Sequence, residues 1–242
     1  MPLRNVGAPR FSQQLERILT PSWKQYRQTV TGWLASGAFS LTYPALLVET
    51  YHYVKHSVSL MEYACELMSD TRMHSEAKSY LKRHAREEAG HEEWLLDDLE
   101  ALGFARRDVL NAVPLSETVS LIGTQLYVIR YLHPLGLFGY IYTMESRPPT
   151  KTALRQLRGL GIPSRAMTFL ERHGRFDVGH KHELAMVLDE YLTTTVVRSA
   201  AIVSATTGLS NINSLLRRIC VGDFLCTVSQ HLDGLAVNGS NL

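Results

Sequence analysis

Two stretches decide the reading of this chain: KRHAREEAGHEEW at residues 82–94 and RHGRFDVGHKHE at residues 172–183. On an α-helix each residue advances about 100°, so positions i, i+4 and i+7 fall within roughly 60° of one another. The first stretch therefore puts His84, Glu88 and His91 on one face, in line with Leu81, Leu95 and Leu99. The second puts His173, Asp177 and His180 on one face with identical spacing. A solvated helix rich in His, Glu and Arg accounts for one such triplet. It does not account for the same His–acid–His order appearing twice.

Outward from these stretches, helical periodicity continues and strand signals are nearly absent. The first triplet belongs to a helix expected from about Ser75 to Leu102, with Gly103 as its stop. The second belongs to a helix opened by Pro163-Ser164 and running to about Leu192. Upstream, residues 11–35 can hold a helix that Pro21 interrupts, and Tyr43-Pro44 reads as a helix entry. Between the triplets, Ser116 to Ser146 reads as a helix broken near Pro134 and ended by Arg147-Pro148-Pro149. A short helix from Thr150 to Leu160 follows, closed by Gly161, and residues 195–227 supply a last helix or two. The expectation is a single all-α domain of about seven helices over residues 1–242, with roughly ten frayed residues at each end.

Composition narrows the function. The balance of 25 basic against 23 acidic residues, a net +2, gives nucleic acid no electrostatic reason to bind. No apolar run approaches the ~18 residues of a membrane span, and the N-terminus has no apolar signal core. Cys65, Cys220 and Cys226 are an odd number without CxxC spacing, so neither a disulfide framework nor a zinc ribbon is expected. A cytoplasmic, reducing setting is expected. Cys65, in an apolar stretch, reads as a buried small hydrophobe, and no catalytic nucleophile is assigned.

The triplet spacing also bears on metal number. Residues i and i+7 lie about 10.5 Å apart along a helix axis. Two ions about 3.5–4 Å apart use such a spread, because the outer ligands lean inward from each end. Imidazole with carboxylate suits iron, manganese or zinc, so residue types alone leave the metal open. A bridging acid is still needed, and Glu145, alone in the apolar run GLFGYIYTMES, is the candidate. Gly90 and Gly179, each just before a histidine, suggest close helix approach. Tyr53, Phe138 and Tyr142 are pocket candidates, with Glu49 and Glu88 as alternate ligands or substrate-binding groups.

These motifs resemble the haem-oxygenase-like diiron oxidases and oxygenases, whose relatives include TenA-type thiamin-salvage enzymes and the last enzyme of pyrroloquinoline quinone synthesis. The resemblance rests on HAREEAGHEEWLLDDLEALG (84–103), YLHPLGLFGYIYTMES (131–146) and HGRFDVGH (173–180), with TYHYVKHS (50–57) agreeing. It implies a haem-oxygenase-like bundle with His84, His91, Glu145, His173, Asp177 and His180 as ligands of two iron ions. It also implies O2 as co-substrate and a small metabolite as substrate, N-oxygenation of an amine or amino acid coming first. Oxidative C–C cleavage, decarboxylation or nitrile formation on an amino or fatty acid is the alternative, and a metal-free TenA-like hydrolase a further one. An external electron donor and a homodimer belong to the same expectation. One departure stands out: many members carry glutamate where this chain has His84, leaving the centre about one charge more positive. A ferritin-like bundle using Glu49, Glu88, His91, Glu145, Asp177 and His180 is the competing architecture.

Overall fold

Gly90 breaks what the periodicity reads as one helix. Its φ of 87° is left-handed, a conformation that costs any residue with a Cβ about 1–2 kcal/mol. One helix therefore ends at Glu88 and the next begins at His91. The computed structural model describes residues 9–69 and 71–222, apart from the side chains at 72, 73 and 176–178. Cys226, the expected frayed C-terminal residues and the first eight residues fall outside the described residues.

The described residues form eleven α-helices and no β-strand. In order they are α1 (Phe11–Ala35), α2 (Phe39–Val54), α3 (Ser57–Leu67), α4 (Arg72–Glu88), α5 (His91–Ala101), α6 (Arg106–Asn111), α7 (Ser116–Tyr127), α8 (Leu137–Glu145), α9 (Lys151–Gly159), α10 (Thr168–Tyr191) and α11 (Thr195–Cys220). The all-α single domain stands, but about seven helices was too few. Breaks at Lys55-His56 and Gly90 divide two expected helices, and α6 carries too little apolar pattern to announce itself. The break near Pro134 is a π turn over Val128–Leu132 followed by a 3-10 turn over Pro134–Gly136.

Both upstream prolines behave otherwise than expected. Helix α1 runs through Pro21, because Leu15 and Leu19 before it and Trp23 after it are all buried on one side. One forfeited backbone hydrogen bond is outweighed by that burial, at about 1.5–3 kcal/mol per large apolar side chain. Pro44 likewise lies inside α2, which starts a turn earlier at Phe39. There Thr42 Oγ1 accepts from Trp33 Nε1 at 2.7 Å and donates to Ala38 O at 2.9 Å, stitching α1 to the start of α2.

Helix α11 is the central rod and packs on α1, α7 and α8. At the α8 crossing, a Cβ on Gly139 would sit 2.0 Å from Ala201 O, so only glycine permits that approach. Gly179, by contrast, has nothing within 4 Å, and Gly90 serves the chain break rather than a close approach. Two apolar cores result. One gathers Leu15, Leu19, Leu81, Phe138 and Leu188, and the other gathers Trp33, Tyr43, Leu95, Leu99 and Phe169. Tyr26, Tyr53 and Ile212 pack against both and mark the seam between them.

Candidate metal centre

The end of α4, the start of α5, the last residue of α8 and the middle of α10 meet at this seam. Their placement is held by buried polar caps. Asp98 on α5 accepts from Thr168 N at 2.8 Å and Phe169 N at 2.9 Å, satisfying orphan amides that open α10. Burial raises the Asp98 carboxyl above its ordinary value, although the two amides act against that shift. At the other end of α10, Asp189 accepts from Ser12 N at 2.8 Å and Ser12 Oγ at 3.0 Å, tying α1 to the bundle.

Two groups of side chains converge. In the first, His84 Nε2 lies 2.6 Å from Glu145 Oε1, and His180 Nδ1 lies 3.3 Å from Glu145 Oε2. The two imidazoles stand edge to face with centroids 5.1 Å apart. In the second, His91 Nδ1 lies 3.2 Å from Glu88 Oε2, and the His91 and His173 rings stand edge to face at 5.0 Å. Within each group the ligand atoms lie inside 4.8 Å of one another, a span one metal ion fits. Each sequence triplet is thus divided: the first histidine of one pairs with the last of the other, as antiparallel helices require.

Aromatic walls fix the rings. Tyr80 stacks on His84 at 5.7 Å, Trp94 on His91 at 3.9 Å, and Phe169 leans on His173 at 4.2 Å. Burial alone would lower His84, but the hydrogen bond and charge of Glu145 outweigh it and hold the imidazole above its ordinary value. Burial alone would raise Glu88, but the hydrogen bond and charge of His91, with His173 and His84, hold its carboxyl below the usual range.

The donors suit a divalent first-row cation. Four imidazoles and two carboxylates is the mixture such ions take. Glu88 Oε1 is buried and accepts no hydrogen bond, and Glu145 Oε2 meets only His180 Nδ1 at 3.3 Å, a costly state for anionic oxygens that a cation would relieve. Asp177 lies in α10 between His173 and His180, and its side chain is outside the described residues.

Other expected site residues sit elsewhere. Glu49 belongs to neither group: it accepts from Leu115 N at 3.2 Å and Thr118 Oγ1 at 2.5 Å, capping the start of α7. A cavity of about 200 Å3 opens against Glu88, Glu145 and His173, lined on its apolar side by Tyr26, Tyr53, Tyr140, Leu209 and Ile212. Tyr53 is among its lining residues. Phe138 and Tyr142 are not, because the cavity meets α8 along Tyr140, Thr143 and Met144. Phe138 is fully buried against Tyr80, and Tyr142 donates to Glu16 Oε2 at 2.9 Å. Sequence reasoning missed Glu87, whose Oε2 lies 3.5 Å from His84 Nδ1 and 3.8 Å from His180 Nε2. Spacing held no signal for it, since four glutamates crowd that stretch.

Comparison with known proteins places the arrangement. A family model described as iron-containing redox enzyme matches residues 45–209, which includes every side chain of both groups. Among solved structures, a domain of unknown function with a haem oxygenase-like fold from Shewanella denitrificans OS217 is similar at TM-score 0.72 and 25% identity, covering 89% of this chain and 90% of that one. A TenA homologue from Pseudomonas syringae pv. tomato DC3000 aligns at TM-score 0.69 and 14% identity, covering 88% and 93%. A CADD-like protein of unknown function from Nostoc punctiforme PCC 73102 aligns at TM-score 0.64 and 19% identity, covering 88% and 96%. The fold is haem oxygenase-like. No curated protein matches the chain in sequence.

Proposed function

This chain belongs to the family of iron-containing redox enzymes, and from that premise we propose that it is an O2-dependent non-haem diiron oxygenase or oxidase. The observation that carries the reading is the pair of facing groups, His84–Glu145–His180 and Glu88–His91–His173, each compact enough to hold one ion. Asp177, between the two α10 histidines, is a further ligand that the resemblance implies. Two ferrous ions there would supply the electrons that activate O2.

The chain's own residues do the rest. Glu88 and Glu145 bring negative charge to the buried centre and would balance the charge of cations held by the imidazoles. Tyr80, Trp94 and Phe169 hold the rings in place and keep water from them. Tyr26, Tyr53 and Tyr140 offer a small apolar body a surface beside the carboxylates. The substrate is a small metabolite, with N-oxygenation of an amine or amino acid as the first reading. Oxidative C–C cleavage, decarboxylation or nitrile formation is the second.

The test is anaerobic loading with two equivalents of Fe(II), then O2 and a panel of amines, amino acids and fatty acids. Substrate-dependent O2 uptake with transient visible absorption is expected, and product mass separates added oxygen from lost carbon dioxide. Neither uptake nor absorption with any substrate would overturn the reading. A thiol hydrolase on this fold would need its nucleophile at the cavity. Cys65 instead lines a separate groove with Lys78 and Lys82, its thiol pushed up by burial. The proposal extends to an external electron donor, a cytoplasmic setting, a homodimer and no nucleic-acid partner. No described helix is long and apolar enough to cross a membrane.

A further inference from the structure

Each imidazole of the first group has an inner and an outer nitrogen. The inner ones face Glu145: His84 Nε2 at 2.6 Å and His180 Nδ1 at 3.3 Å. The outer ones face a second carboxylate. Glu87 Oε2 lies 3.5 Å from His84 Nδ1 and 3.8 Å from His180 Nε2. Its other oxygen faces Arg83 Nε at 3.6 Å, and Arg83 also holds Glu183 at 2.7 Å. Two imidazoles from different helices are therefore flanked by the same two carboxylates, one buried and one at the bundle surface.

A ligating imidazole that donates its far N–H to a carboxylate is fixed in tautomer and ring angle and made a stronger base. The Glu87 side chain is 44% exposed, so its carboxylate torsion is free to bring Oε2 to bonding distance of either ring.

We propose that Glu87 is a positioning residue of the metal centre, its Oε2 taking the outer N–H of His84 and His180. This rests on the diiron reading above. The experiment titrates wild type, Glu87→Gln and Glu183→Gln anaerobically with Fe(II), and with Co(II) for its visible ligand-field bands. Thermal midpoints of the metal-free proteins are measured alongside. In Glu87→Gln one of the two ions is expected to bind about 10–100-fold more weakly, with its cobalt bands shifted and the metal-free midpoint unchanged. Glu183→Gln, which shares only Arg83, is expected to match wild type. Unchanged affinity and bands in Glu87→Gln overturn the inference alone, as does an equal loss in Glu183→Gln. A wild type that binds no divalent metal overturns the diiron reading and this inference together.

Discussion

Glu145 carries the most at the residue scale, since both inner nitrogens of the first group address its two oxygens. Glu145→Gln keeps the volume and removes the charge. It is expected to weaken binding of at least one ion about 10–100-fold in an anaerobic Fe(II) titration. His52 offers a second test away from the centre. It is 2% exposed, and burial, with Lys55 beside it, lowers its pKa from 6.5 to about 4. Between those values the unfolded chain binds the proton and the folded chain does not, so stability falls as pH drops from 6.5 toward 4. The loss amounts to about 3 kcal/mol. His52→Leu should flatten that part of the urea-unfolding profile of metal-free protein. At this scale sequence legibility was uneven. His84, His91, His173 and His180 were visible because their spacing repeats. Glu49 misled because an acid on an aromatic helix looks the same whether it faces a site or caps α7.

Elements add what residues cannot: the angle at which each ligand arrives. Asp98 anchors the start of α10 and so sets the height of His173 and His180 along the bundle. Asp98→Ala should cost about 1–2 kcal/mol in urea unfolding and loosen iron binding with it. Thr150→Ala removes the cap of α9, which carries no ligand, and should cost similar stability while leaving the iron titration unchanged. The α8–α11 crossing gives a third test. Gly139→Ala forces a methyl group onto Ala201 O and should cost about 1–3 kcal/mol, read as a lowered thermal midpoint. Element existence was largely legible, since apolar and polar residues alternate with the helical period. The breaks were not. Whether Pro21 stops a helix or Gly90 starts a new one depends on what the flanking side chains bury, which no local pattern records.

Over the whole molecule the candidate centre lies where two apolar cores meet, with candidate ligands from both sides. Metal should therefore stabilise the bundle. At a free concentration 100-fold above Kd one ion adds about 2.7 kcal/mol, so chelation should lower the thermal midpoint of wild type but not of a His84→Ala/His173→Ala protein. The exposed apolar residues Val119, Leu126 and Tyr127 of α7 fit the homodimer proposal, which sedimentation velocity tests directly. By itself the amino-acid order determined the all-helical class, the doubled His–acid–His spacing and the solitary Glu145. These are properties of periodicity and composition, carried by neighbours along the chain. Only tertiary structure decided which imidazole is grouped with which, that Glu88 pairs with His91 rather than His84, and that Glu87 lies beside two rings at once. Those pairings depend on how α4, α5, α8 and α10 cross, and crossings are set by packing between residues far apart in sequence.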